Sequence, residues 1–501
     1  MQRTNEVTEE RVSGARIAIV GSGFAGLGMA IRLKRTGIED FIILERATDI
    51  GGTWRDNSYP GCACDVESDL YSFSFAPNPD WSKKFAPQPE IQAYLQRCAT
   101  RFGILPHIRF GHEVLGATWD EAASEWRIET THGPVRADVL VLAAGPLSDP
   151  IIPDLPGLAS FEGEVFHSAA WRHDLDLTGR MVAVVGTGAS AIQFVPRILP
   201  SVRQMILFQR TAPWVLPRHD HAVPRWRQRL FRAVPALQRL ARLRLYLQHE
   251  LLLLFFRHPA WMARGEALAR RGLRKWIKDP VKREKLTPDY TMGCKRLLLS
   301  DDYLPALAQP NVHVVTSALG RVRARGVVDS SGIEHPADVI IFGTGFRPTD
   351  PPLAPCIRGR GGHTLSEAWR GSPRAYLGTT VAGFPNLFTL LGPNTGLGHS
   401  SVVFMIEAQI AQVMLVLREL ERRGVRALEP SDEAEARYVA DVESRMRNTV
   451  WVAGRCMSWY LDRTGRNSSL WPDFTWRFRR RLSRLARADY VSVSGAWGNA
   501  G

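Results

Sequence analysis

The stretch RIAIVGSGFAGLGMAIRL sets Gly21, Gly23 and Gly26 between an apolar run, Ile17 to Val20, and a helical pattern. Glycines at that spacing let the backbone turn tightly and approach a pyrophosphate at a helix N-terminus. Phe24 and Ala25 stand inside the turn. The next strand, FIILE, ends in Glu45, nineteen residues after Gly26. A carboxylate there takes the hydroxyls of a ribose. One glycine pattern alone says little, but strand, turn, helix and acid together specify a dinucleotide site.

MVAVVGTGASAIQFVPRI repeats the pattern at Gly186, Gly188 and Ala191. Its second strand, MILFQRT, ends in Gln209, Arg210 and Thr211, with no acid. A carboxylate would repel a 2′-phosphate, whereas an arginine fork accepts one. The first unit therefore suits FAD or NAD and the second NADPH.

These turns need elements to hold them. At 501 residues the chain is too long for one simple core, and two or three domains are expected. VLVLAAGPLSDP, 139–150, and DVIIFGTGF, 338–346, are buried strands running into glycine turns on either side of the second unit. They mark an outward and a return crossing. The expected class is α/β, with two Rossmann-like dinucleotide-binding domains, the second inserted in the first, plus a helical insertion. The first domain takes residues 1–150 and 346–501, the second 151–215 and 294–345, and the insertion 216–293. The insertion is strongly basic: between Pro217 and Tyr290 stand 18 Lys or Arg against six Asp or Glu. No nucleic-acid motif accompanies it. A lid packed on its own core is one reading, and a weak membrane-surface contact is the other.

The N-terminus, MQRTNEVTEERVSGAR, lacks the apolar core of a signal peptide. The longest apolar run, LLLLFF at 251–256, is too short to span a bilayer. Six cysteines, at 62, 64, 98, 294, 356 and 456, follow no framework spacing. Reduced thiols in a cytoplasmic protein are expected. No metal-ligand cluster is expected.

FEGEVFHSAAW carries Phe161, Gly163, His167 and Trp171 in the pattern F-x-G-x3-H-x3-W. GGTWRDNSYPGCACD carries Gly52, Trp54, Tyr59, Pro60, Gly61 and Asp65 in a second long pattern. Together with FQRT at 208–211, GCKR at 293–296, FPNLF at 384–388 and SWY at 458–460, the chain resembles the type I Baeyer–Villiger monooxygenases nearly from end to end. The family usually follows the tryptophan with Pro or Asp; here Arg172 stands there.

The resemblance implies FAD, NADPH and O2 as co-substrate, and oxygen insertion beside a ketone carbonyl to give an ester or lactone. It implies that reduced flavin and O2 form a C4a-peroxide, which a fixed cation must stabilise. Arg296 matches that cation, and Asp65 the acid that positions it. For FAD it implies Gly21, Gly23, Phe24, Ala25, Gly26, Glu45, Thr53, Trp54, Asp65 and Tyr71. For the nicotinamide cofactor it implies Gly186, Thr187, Gly188, Ala189, Ser190, Ala191, Gln193, Arg210, Thr211, Lys295 and Arg296. Phe161, Gly163, His167 and Trp171 become a hinge between the domains, with His167 an organiser rather than a proton shuttle. Trp459 matches a tryptophan near the active site.

Other readings compete. A related flavin monooxygenase would oxygenate sulfur or nitrogen. A flavin-binding ligand carrier would have lost oxygenation, against which the retention of Arg296 and Asp65 argues. A dithiol oxidoreductase using Cys62 and Cys64 fits poorly, because such enzymes usually space the pair four apart. The substrate class implied is a small, lipophilic ketone, with no nucleic-acid partner.

Overall fold

The computed structural model describes residues 13–493. The polar N-terminal stretch read above lies mostly outside them. Two five-stranded parallel sheets organise the chain. The first runs Leu387–Thr389, Val139–Leu142, Ile17–Val20, Phe41–Glu45 and Ile108–Phe110 across its width. The second runs Val312–Val315, Gln204–Phe208, Met181–Val185, Val339–Phe342 and Glu164–His167. Both have the glycine-turn strand in the middle, buried on both faces. That is why IAIV and MVAVV read as continuous rather than alternating apolar runs.

Each turn feeds a helix that packs on its sheet. Gly26 is forced by space: a Cβ there would lie 1.9 Å from the Gly21 carbonyl oxygen. Gly28 lets the helix Phe24–Arg35 touch Phe73 and the long helix Val402–Arg423. The crossings run side by side, joined by an antiparallel bridge between Pro150 and Phe346 and by the Ile151 amide donating to the Gly345 carbonyl at 2.9 Å.

Each parallel sheet carries an antiparallel companion. Val114–Asp120, Glu125–Thr130 and Gly133–Ala137 form one meander, and Leu319–Arg323, Gly326–Asp329 and Glu334–Pro336 the other. Trp126 plugs the first, fully buried, its indole donating to the Pro385 carbonyl.

The basic segment folds as helices Arg225–Ala233, Pro235–Arg257, Met262–Trp276 and Pro280–Lys285. LLLLFF closes the second of these. Among the described residues no helix is long and apolar enough to cross a membrane.

The cysteines correct the sequence expectation. Cys294 and Cys456 are joined in a disulfide across 162 residues of sequence. Spacing hid the pair because the fold, not the local chain, brings the segments together. Cys62, Cys64, Cys98 and Cys356 are free thiols.

Candidate active site

The first glycine turn presents an open helix N-terminus. Gly23 caps the helix Phe24–Arg35 with no side-chain hydrogen bond, leaving the first-turn amides for a ligand. Gly51 and Gly52 back the turn: the Gly51 amide donates to the Ser22 carbonyl, and a Cβ on Gly52 would meet the Gly23 Cα at 3.4 Å. This seats Thr53 and Trp54 beside it. The Trp54 indole donates to the Tyr71 hydroxyl at 3.1 Å, and Tyr71 packs edge-on against Phe24. Glu45 is buried. One carboxylate oxygen accepts from the Ser22 amide and hydroxyl, the other from Ala47 and Arg55. Burial pushes its carboxyl up, but these donors outweigh that and hold it below its ordinary range. An open turn, an anionic carboxylate at its edge and an aromatic wall fit FAD.

The second turn is more open still. A Cβ added to Gly188 would meet nothing within 4 Å, and Ser190 caps the next helix, Ala191–Ile198, without a side-chain bond. Gly188 and Ala189 are exposed; Thr187 is half-buried and Ala191 is buried under the helix. Arg210 is exposed, and Thr211 half-buried beside it. Lys295 sits close enough to Arg210 for mutual repulsion; partial burial first, then Arg210, pulls its ammonium below the usual range against the attraction of Asp289. Neither cation has an ion-pair partner among the described residues. Two like charges side by side, neither of them in an ion pair and only Lys295 drawn on by Asp289, suit a 2′-phosphate. Gln193 faces elsewhere: its side chain bonds the Tyr59 hydroxyl and the Ala63 backbone, tying the second unit to the first.

Arg296 and Asp65 meet at the junction. The guanidinium Nε and Nη2 donate to the two carboxylate oxygens at 2.7 and 2.8 Å. Both groups lie deep in the molecule, yet keep 29% and 28% of their side-chain surface open. They therefore line a recess. Nη1 makes only a 3.4 Å contact to the Leu397 carbonyl. Burial favours the protonated acid, but the Arg296 charge and hydrogen bonds outweigh it and hold Asp65 below the usual carboxylate range. Asp65 in turn holds Arg296 protonated. Trp459 is 45% exposed. Its neighbour Tyr460 is buried beside Arg296 with a hydroxyl that lacks an aligned partner. The adjacency in SWY was the only signal for it. The disulfide fixes both segments: Cys294 precedes Arg296 by two residues, and Cys456 precedes Tyr460 by four.

The connector has a physical reason at each offset. Phe161 packs into the core of the second sheet. A Cβ on Gly163 would lie 2.2 Å from the Asp338 carbonyl oxygen, so only glycine fits. His167 ends a strand paired with Phe342, accepts from the Ala169 amide and packs edge-on against Phe346 of the return crossing. Burial pushes it down to about 4, so its ring is neutral near pH 7. Trp171 packs on Phe194 of the second unit, which in turn meets Tyr59 of the first.

Cys62 and Cys64 are unpaired and buried, and burial raises the Cys62 thiol to about 12. Thiols so held are unreactive near neutral pH, which leaves no dithiol redox centre there.

Two nucleotide-binding units closing on a shielded arginine define a flavin-dependent, nicotinamide-reduced oxygenase. The family model for flavin-binding monooxygenase-like proteins matches residues 14–358. A Baeyer–Villiger monooxygenase of Streptomyces coelicolor is 53% identical over 95% of this chain and 92% of its own length. Another from Pseudomonas aeruginosa is 49% identical over 95% and 91%. Among solved structures, a closed form of cyclohexanone monooxygenase superposes with a TM-score of 0.86 at 28% identity, covering 96% of this chain and 99% of that one. Oxidised steroid monooxygenase bound to NADP gives 0.85 at 31%, covering 96% and 100%. The chain belongs to the flavin-binding monooxygenase-like family and, within it, to the type I Baeyer–Villiger monooxygenases.

Proposed function

We propose that the protein converts a lipophilic ketone to an ester or lactone, consuming one NADPH and one O2 and releasing water, with Arg296 as the anion-stabilising residue. Bound FAD, reduced by NADPH, supplies the activation of oxygen. The observation that carries the reading is the Arg296–Asp65 pair. Asp65 takes Nε and Nη2 of the guanidinium, and Nη1 is left with one long contact, 3.4 Å to the Leu397 carbonyl. A cation fixed there before reaction stabilises negative charge as it develops on oxygen, without reorganising at that moment. Arginine suits the task because no working pH discharges it.

Asp65 orients the fork and keeps the recess from carrying net positive charge between turnovers. Because its carboxyl is depressed, the pair is intact above the ordinary aspartate range and is lost only as pH falls through that lowered value. Arg210 and Lys295 hold the 2′-phosphate; His167 and Trp171 set the angle between the units as a hinge. A cytoplasmic location, where NADPH is maintained, accords with this chemistry.

The test is isotopic. FAD-loaded protein, NADPH and 18O2 are offered to a panel of cyclic and linear ketones. One 18O atom in the ester per NADPH consumed is expected. Oxygenation of sulfides or amines with every ketone untouched would move the protein to the sulfur- and nitrogen-oxygenating reading. NADPH consumption yielding only hydrogen peroxide would favour a silent flavin protein.

A further inference from the structure

The helix Pro235–Arg257 is built inside out over its first four turns, before its last turns bury Leu253 and Phe256. Leu237, Leu240, Leu243, Leu247 and Leu251 are 39 to 61% exposed. At 100° per residue they fall within an arc of about 120°. The opposite arc carries Gln238, Arg242 and His249, and these polar side chains face the protein. Gln238 donates to the Asn78 carbonyl at 2.7 Å, Arg242 to the Asp69 carbonyl at 2.8 Å, and His249 bonds Glu67 at 2.7 Å. A helix that only roofed a core would show the reverse pattern.

The apolar stripe continues into the preceding helix, where Trp226 is 67% and Leu230 37% exposed. Arg225, Arg229, Arg239 and Arg244 stand exposed along the two helices, none with an ion-pair partner among the described residues. The one acid in either helix, Glu250, is buried and taken up by the Thr475 amide and hydroxyl. The two helices thus present an apolar, tryptophan-edged and mainly positive face, with the neighbouring exposed Asp80 neutralised by Arg232.

We propose that this face docks on an anionic phospholipid surface, with the leucines at the acyl boundary and the four arginines on headgroup phosphates. Charge decides between this and a second copy of the chain: two such faces would bring unpaired arginines together, whereas an anionic bilayer neutralises them. Leucine and tryptophan on one side, arginine flanking and no exposed acid in either helix suit interfacial docking. Basic residues this close to an anionic surface each strengthen binding about fivefold.

The test uses FAD-loaded, full-length protein with vesicles of phosphatidylglycerol and phosphatidylcholine mixed, against phosphatidylcholine alone. Sedimentation with the anionic vesicles, weakened by salt, is expected. Arg239→Ser with Arg244→Ser should lower partitioning by about 25-fold, and Leu240→Ser with Leu247→Ser by about tenfold or more. Both pairs should keep the NADPH-dependent turnover of a water-soluble ketone, which shows that they fold. Equal binding to neutral and anionic vesicles, or unchanged partitioning in both pairs, overturns the proposal. So does a concentration-dependent dimer, abolished by the leucine pair, in protein that ignores vesicles, because the occupant is then a second copy.

Discussion

The two nucleotide-binding units share a strand order and a glycine turn, and they differ in how finished they are. At the end of the second strand the first unit has Glu45, buried and held by four donors. The second has Arg210, exposed beside the half-buried Lys295, and neither forms an ion pair among the described residues. The same backbone solution thus serves two kinds of ligand. One site is pre-paired and enclosed, as suits a cofactor that stays. The other leaves Arg210 exposed and Lys295 half-buried without an ion pair, as suits a cofactor that arrives, is spent and leaves.

Substitutions can break this contrast. The largest effect is expected from Gly26→Ala, whose Cβ would meet the Gly21 carbonyl oxygen at 1.9 Å. Overpacking of this kind costs about 3 kcal/mol, roughly a hundredfold in flavin affinity; the purified variant should be nearly colourless by absorbance. Gly188→Ala, whose Cβ meets no protein atom, should bind flavin normally but raise the KM for NADPH about tenfold, because the Cβ takes the space through which the backbone approaches the pyrophosphate. Next comes Arg210→Ala. Loss of a charge-assisted contact to the 2′-phosphate costs about 2 kcal/mol, some thirtyfold in KM for NADPH, with the KM for NADH unmoved. Equal effects on both nucleotides would show that Arg210 does not read the 2′-phosphate.

The smallest effect concerns how the helical block is anchored to the first unit. Burial opposes the charged form of His249, but its bond to Glu67 outweighs this and raises its pKa. A raised histidine stabilises the fold fully below its unfolded value of about 6.5 and loses that contribution as pH rises through the folded value. His249→Gln should therefore lower Tm by a few degrees at pH 6 and by less at pH 9. A deficit that grows with pH would remove the ion pair from the account.

Much of this was legible in the chain because it rests on local constraint. Gly21, Gly26 and Gly163 stand where a Cβ would strike a carbonyl oxygen, and Glu45 stands where four donors meet. The meander strands were not, since VLGATWD alternates burial only weakly and borrows its partners from the next hairpin. Cys294 and Cys456 could not be paired from spacing, because their proximity exists only in three dimensions. Tyr460 was not singled out, because a sequence does not say which of two adjacent aromatics is buried beside Arg296. The inside-out helix was legible in part: its arginines and leucines were visible as an alternation, while the polar side chains it buries were not.

The most direct measurement is stopped-flow kinetics on Arg296→Ala. Flavin reduction by NADPH should proceed within a few-fold of the unaltered protein. Ester formation should fall about a thousandfold, the effect of removing a preorganised charge from a developing anion, with the consumed NADPH appearing as hydrogen peroxide. Ester formation at the unaltered rate would contradict the role assigned to Arg296.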